Sequence, residues 1–379
     1  MSSQGKIIFL FLNGVHQLFH SALTAMELSR LQNEYKIVLL SCTDNHKKIL
    51  KNIQQVYPEN KCEIVNTKLP FRFRHLNYKK KMYPSPHDTI PKSKALLKGA
   101  DFVIATSHSI PELFRKFRIT KPKIIFQYHG CGDRKYGFDP AFRKFDFMLL
   151  PGEYHLRRLL EENIIEREKT EIVGWPRLDY RVNIQDLKKQ LFPNSNPIVL
   201  YSPHWKEELS SFKKWGEDIV KYFFNHMNLN LIFAPHIQIK HWKNKYNYNI
   251  DFSAYNCDNV HIDFDSLKSV DSSYLQIADL YLGDVSSMVY EWVAIKPRPC
   301  VFLNAHSVQW RNNVDYRFWD FGPVVENFPE LAEKLNASFK DKTFMYVQKE
   351  RITEYMDITD VPSSYRAALA INNFINKSK

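Results

Sequence analysis

What most constrains this chain is an alternation that runs along its whole length, in which short β-branched, apolar runs are separated by longer amphipathic stretches. Ile7–Leu12, Ile37–Ser41, Phe102–Ala105, Ile124–Gln127 and Phe147–Leu150 read as strands, with helices such as Leu18–Leu31 and Tyr154–Asn163 between them. Runs that are apolar throughout suit strands covered on both faces, and helical crossovers are what parallel neighbours need. The expected class is therefore α/β, made of stacked βαβ units. The periodicity lapses near Trp175-Pro176-Arg177, and the helical stretch Ile184–Leu191 leads into Phe192-Pro193-Asn194-Ser195-Asn196-Pro197, dense in turn formers and the best linker candidate. Strands then resume near Ile198–Tyr201, Leu229–Ala234, Val260–Ile262, Leu280–Gly283 and Cys300–Leu303. A chain of 379 residues exceeds the usual size of one core. Two Rossmann-like domains are expected, 1–185 and 186–379, with the last helical stretch, Ser363 to Asn376, free to pack on either.

Charge narrows the partners. Lys and Arg number 53 against 41 Asp and Glu, an excess that favours anionic ligands. Between positions 68 and 83, Lys68, Arg72, Arg74, Lys79, Lys80 and Lys81 interleave with Phe71, Phe73, Tyr78 and Tyr83, a mixture suited to a peripheral membrane contact. The five cysteines are scattered and never form a CxxC pair. That usage points to a reducing compartment, and the first apolar run is too short for a signal segment. A cytoplasmic protein, peripheral on the inner face of the plasma membrane, is the expected setting. His and Cys spacing matches no zinc site, so neither a metal nor another cofactor is expected.

Three constellations can carry chemistry. Leu280–Gly283, then Asp284-Val285-Ser286-Ser287, then the helical Met288–Ile295 reads as strand, tight loop, helix. Hydroxyls and unpaired amides at a helix start suit a pyrophosphate, although Asp284 or Ser286 can equally serve as plain helix caps. Glu291 lies seven positions beyond Asp284, so that two turns of one helix would turn both toward a nucleotide, with Glu291 reaching ribose hydroxyls. His204 and His236 each follow a strand and a proline, at the edge where open α/β sheets bind ligands. Such histidines can donate to phosphate oxygens and stabilise a leaving nucleotide. In the first half, Gln127-Tyr128-His129-Gly130-Cys131-Gly132-Asp133-Arg134 ends a strand. His129 can accept a proton there, Gly130 lets backbone approach a ligand, and Asp133 and Arg134 can orient the histidine or hold phosphate. His16 and His20 occupy the first strand-to-helix turn, where His16 can line an acceptor site, but the GxGxxG pattern and the P-loop are both missing.

In this order and spacing, from about Ile124 to Leu335, the motifs resemble the CDP-glycerol glycerophosphotransferase family of teichoic-acid-type polymer synthesis. His129-Gly130 is similar to that family's His-Gly, Tyr201-Ser202-Pro203-His204-Trp205 to its Tyr-Ala-Pro-Thr-Trp-like strand end, Pro235-His236 to its later Pro-His, and Asp284-Val285-Ser286-Ser287 to its Asp-Tyr-Ser-Ser. Phe321-Gly322-Pro323-Val324-Val325, followed by Glu330-Leu331, resembles its closing Pro-Gly-Pro segment. Tyr128 stands where members usually carry Trp, and Cys131-Gly132 where they carry Thr-Pro. The resemblance implies a GT-B fold, two Rossmann-like domains facing each other across a cleft. It also implies transfer of glycerol phosphate from CDP-glycerol to an anionic or lipid-linked acceptor of the cell envelope or capsule, with His129 as base and His236 at the leaving phosphate. The rival within the same architecture is a glycosyltransferase using a UDP- or CMP-activated sugar. Net charge alone also admits a nucleic-acid-binding protein, but the strand-end motifs favour a transferase and no nucleic acid is expected as partner.

Overall fold

The computed structural model describes residues 4–67, 84–132, 135–239, 251–264 and 266–379. The basic and aromatic run at 68–83, with Asp133 and Arg134, lies outside them. The chain divides into two units: the first takes in the chain up to Cys131, Lys135–Tyr180 and Glu354–Lys379, and the second takes in Gly132 and Arg181–Thr353.

In the first unit, β1 (Gly5–Phe11), β2 (Tyr35–Ser41), β3 (Glu63–Asn66), β4 (Phe102–Ala105), β5 (Lys123–Gln127), β6 (Phe147–Leu150) and β7 (Thr170–Ile172) form one sheet ordered β3-β2-β1-β4-β5-β6-β7. Every pairing in it is parallel. The middle strands are buried on both faces, which is why they read as unbroken apolar runs rather than alternating ones. Strand order reverses between β1 and β4, and such a reversal opens a crevice beyond the carboxyl ends of the strands.

The helix Leu18–Leu31 lacks a polar face because it is covered twice, by the sheet and by the C-terminal helix Ser363–Lys377. That last helix therefore belongs to the first unit. Phe374 stacks on Phe147 with ring centroids 4.7 Å apart and meets Phe102 edge-on at 6.3 Å. Just before it, Tyr355 stacks on Tyr154 at 4.2 Å, and a Cβ on Gly152 would come within 2.5 Å of the Tyr355 carbonyl carbon. Only glycine fits at that crossing.

In the second unit, β8 (Ile198–Ser202), β9 (Asn230–Phe233), β10 (Val260–Ile262), β11 (Leu280–Gly283), β12 (Cys300–Leu303) and β13 (Val324–Val325) are ordered β10-β9-β8-β11-β12-β13, again all parallel. Here the reversal falls between β8 and β11. Tyr201, Phe212, Phe233 and Phe252 fill the core on one side of this sheet. The turn-rich 192–197 segment is not the link between units: it joins the helix Ile184–Leu191 to β8 inside the second unit, and the chain enters the body of that unit at Tyr180–Arg181. Turn formers mark a tight corner as readily as a domain boundary. Among the described residues, no helix is long and apolar enough to cross a membrane.

Candidate active site

Each sheet carries one cluster of polar side chains beyond the carboxyl ends of its strands. In the first unit the loops after β1 and β4 are tied together by Gln17, whose Oε1 accepts from Asn13 Nδ2 at 2.9 Å and from Thr106 Oγ1 at 2.9 Å. At the end of β5, buried Gln127 donates to the His20 carbonyl and to Thr24 Oγ1, which fixes that strand end against the helix Leu18–Leu31. His129 follows two residues later, and its ring lies 6.3 Å from that of His20. Burial pushes the His129 pKa down to about 4, outweighing a hydrogen bond to the Thr106 backbone that acts in the opposite sense. The imidazole is thus neutral near pH 7 and able to accept a proton. Around Gly130 a Cβ would meet no heavy atom within 4 Å among the described residues, so crowding by the protein is not what calls for glycine there. His16 lies in the 3-10 turn Val15–Gln17, close enough to His20 to lower its pKa. His16 and His129 thus both lie near His20, a residue the sequence reading did not place in the site.

The loop after β7 adds two residues that sequence reasoning did not assign to the site. Trp175 packs edge-on against His20 at 5.0 Å, and Arg177, in the 3-10 turn Pro176–Asp179, is only 8 % exposed. Their signal was present, a Gly-Trp-Pro-Arg run after a short strand. It lies where the periodicity lapses, and there the sequence alone suggests the approach to a linker.

In the second unit, the ends of β8 and β9 are joined by the His236 N–H donating to the Pro203 carbonyl at 3.2 Å. His204 Nδ1 accepts from the Lys206 amide at 3.0 Å, and His236 Nδ1 accepts from the Gln238 amide at 3.3 Å. An acceptor Nδ1 leaves the ring proton on Nε2, so each histidine offers an Nε2–H donor. Burial lowers the His236 pKa to about 4, so it acts through that N–H rather than through charge. Trp205 bridges the pair, with centroids 5.8 Å from His204 and 6.2 Å from His236.

Asp284 and Glu291 do not share a helix face, contrary to the spacing argument. The helix begins only at Met288, so Asp284 sits in the preceding loop. Its carboxyl is 1 % exposed, and Oδ2 accepts from the His204 amide at 2.9 Å and the Ser211 amide at 3.0 Å. Burial pushes its pKa up to about 7 against the pull of those bonds. Glu291, 5 % exposed, accepts at 3.4 Å from Ser272 Oγ, a residue held at φ +70°. Ser286 Oγ accepts from the Met288 amide at 3.3 Å, a helix-start bond, whereas Ser287 is exposed and makes no capping bond. Gly132, grouped with this unit, lies against that loop: a Cβ on it would stand 3.3 Å from the Ser287 Cβ. Among the described residues, no three His, Cys, Asp or Glu side chains are grouped to hold a metal ion.

Residues 23–372 match the family of CDP-glycerol:poly(glycerophosphate) glycerophosphotransferases. The chain belongs to that family. This glycerophosphotransferase therefore moves glycerol phosphate from CDP-glycerol to a polymer acceptor. Its fold is that of the wall teichoic acid polymerase TagF soaked with CDPG, at 17 % identity and TM-score 0.63 over 99 % of this chain and 89 % of that one. It is similar also to Staphylococcus aureus MnaA bound to UDP, at 13 % identity and TM-score 0.62 over 99 % of this chain and 96 % of that one. A third likeness is to the UDP-GlcNAc 2-epimerase of Methanocaldococcus jannaschii with UDP-GlcNAc and UDP, at 15 % identity and TM-score 0.59 over 97 % of this chain and 99 % of that one. No curated protein sequence matches the transferase. These likenesses establish two parallel-sheet α/β domains of GT-B type.

Proposed function

We propose that the second unit of this transferase holds CDP-glycerol and the first presents the acceptor. The pyrophosphate rests against the Ser286–Ser287 loop and the Nε2–H groups of His204 and His236, with Glu291 directed to the donor ribose. Asp284, being committed to two backbone amides, acts as a positioning residue that holds the β8 and β11 loops in register. The acceptor hydroxyl oxygen forms a bond to the β-phosphorus as the bond to the α-phosphate oxygen breaks. CMP leaves with that electron pair, and the hydroxyl proton passes to His129 Nε2 or Nδ1. Hydrogen-bond donors at the developing charge then do the stabilising, and the reading calls on no metal. We infer a lipid-linked, anionic acceptor on the inner face of the plasma membrane from the basic and aromatic run at 68–83.

The observation that carries the assignment of the base is that His129, at the end of a strand, is kept neutral by burial while still reaching the surface. His129→Gln is expected to lower kcat by about 10²–10⁴-fold, the usual cost of losing a placed base. The assay is CMP release with CDP-glycerol and a polymer acceptor, with circular dichroism as the check on folding. A folded variant with an undiminished rate rules His129 out.

A further inference from the structure

In the first unit the loops after β2, β1, β4 and β5 are linked by one run of hydrogen bonds that ends on the His129 ring. After β2, Thr43 Oγ1 accepts from the His46 amide at 3.1 Å and meets His46 Nδ1 at 2.5 Å. His46 Nε2 stands 2.6 Å from the Asn13 carbonyl in the loop after β1. A carbonyl only accepts, so the ring proton is on Nε2 and the Thr43 hydroxyl donates to Nδ1. With both nitrogens engaged, His46 serves to tie those two loops together. Asn13 Nδ2 then donates to Gln17 Oε1, which accepts also from Thr106 Oγ1 beyond β4, both at 2.9 Å. The Thr106 backbone in turn bonds the imidazole of His129. That bond favours the protonated ring, which makes the imidazole N–H the donor and the Thr106 carbonyl the acceptor. Thr43, His46 and Thr106 are all buried, so water competes little for these bonds. The run crosses the reversal of strand order between β1 and β4, where the strand ladder has stopped and side chains have to hold the two loops together.

We propose that Thr106 and Gln17 are positioning residues for His129: the Thr106 side chain, pinned by Gln17, sets the loop after β4 so that its carbonyl keeps one ring nitrogen as N–H and turns the lone pair of the other to the acceptor hydroxyl. This rests on the reading of His129 as base. A neutral imidazole has two tautomers, and its ring can turn about the bond to Cβ, so a base is productive only when something outside the ring selects one arrangement. A carbonyl bonds the N–H form alone. As the hydroxyl proton arrives on the other nitrogen, the same carbonyl faces the imidazolium and stabilises it, so no group has to move during the transfer. From the opposite side, Gln127 fixes the end of β5 to the helix Leu18–Leu31, which leaves the His129 backbone as well as its ring with a defined place.

The test is a double-mutant cycle in the full-length enzyme, read as CMP release from CDP-glycerol with a polymer acceptor. T106V keeps the shape of the side chain and removes the hydroxyl, whereas T106S keeps the hydroxyl. T106V is expected to lower kcat by about 10- to 100-fold, as a slight misplacement of a reacting group does, with KM for CDP-glycerol within about twofold of the parent's. T106S should recover most of the rate. Because Thr106 acts through His129, adding T106V to H129Q should cost no more than about twofold further. A T106V enzyme with the parent's kcat overturns the proposal. So does a loss of the same size with and without His129, since a side chain that merely supports the fold costs as much on either background. Q17L, which takes away the acceptor of the Thr106 hydroxyl, carries the same cycle if T106V does not fold. The two readings fail differently: an undiminished H129Q removes the base and the positioning role with it, while an impaired H129Q beside an unimpaired T106V removes the positioning role alone.

Discussion

His155 shows what burial does to a titratable residue that has no chemistry to perform. Its imidazole is fully enclosed, stacked on Phe138 at 5.7 Å and edge-on to Tyr128 at 5.3 Å, and neither ring nitrogen has a hydrogen-bond partner among the described residues. Burial, helped by nearby Arg158, pushes its pKa down to about 3. Between that value and about 6.5 the unfolded chain binds a proton that the folded one refuses. Stability is thus intact above about pH 6.5 and is lost as the pH falls, by at most about 1.4 kcal/mol per pH unit for this residue. His155→Phe removes two unsatisfied nitrogens from an aromatic site of suitable shape. It is expected to stabilise the protein by about 1 kcal/mol at pH 7 and to flatten the acid side of the stability profile. Urea unfolding at pH 5 and pH 7 measures both; a variant weaker than the parent at both values would falsify the account. His129 and His236, also with pKa values lowered by burial to about 4, contribute to the same acid loss and cannot be removed without touching the proposed site.

At the scale of elements, the loop after β11 depends on one carboxyl. Asp284 joins the end of β11 to the loop after β8 and to the start of the helix Phe212–Asn225, through the amides of His204 and Ser211. Asp284→Ala strands both buried N–H groups, at about 1–3 kcal/mol each, and should loosen the Ser286–Ser287 loop. Asp284→Asn keeps an acceptor oxygen and should cost less than half as much, with donor binding largely retained. Denaturant unfolding and calorimetric titration with CDP-glycerol check the order; equal losses in the two variants contradict it. The interior strands were legible in the sequence, because β4, β6, β11 and β12 are apolar runs with helices on either side, and the short edge strand β10 was legible from its β-branched Val260 and Ile262. The strands β3, β7 and β13 were not. At four, three and two residues they sit at the edges of their sheets and are too short to show a period. The same limit misled the pairing of Asp284 with Glu291, since seven residues mean two turns only if the helix is already under way. Strand-end histidines could be read because chain order alone puts them at the ligand edge. Arg177 could not, for its place beside His20 depends on how a short edge strand hands the chain on.

Over the whole molecule, the first unit is built from both ends of the chain and the second from its middle. Tyr355, Ala367, Ala368, Ile371 and Ile375 are buried in the first unit, and Phe374 lies between Phe102 and Phe147. Withdrawing the large side chains among them, at roughly 1.5–3 kcal/mol each, is comparable with the ~5–15 kcal/mol by which a domain is usually stable. Truncation after Thr353 should therefore abolish amide-exchange protection in β1, β4 and β5 while β8, β9 and β11 keep theirs. Exchange measured by mass spectrometry reads the two sets in one sample, and continued protection of β1 would show that the final helix is dispensable.

The return of the chain also sets an order of manufacture. Translation delivers every strand of the second unit in one stretch, so that unit can close while the ribosome is still at work. The first unit, though synthesised earlier, waits for the final helix with one flank of Leu18–Leu31 uncovered, and in that interval the nascent protein is a natural client for chaperones.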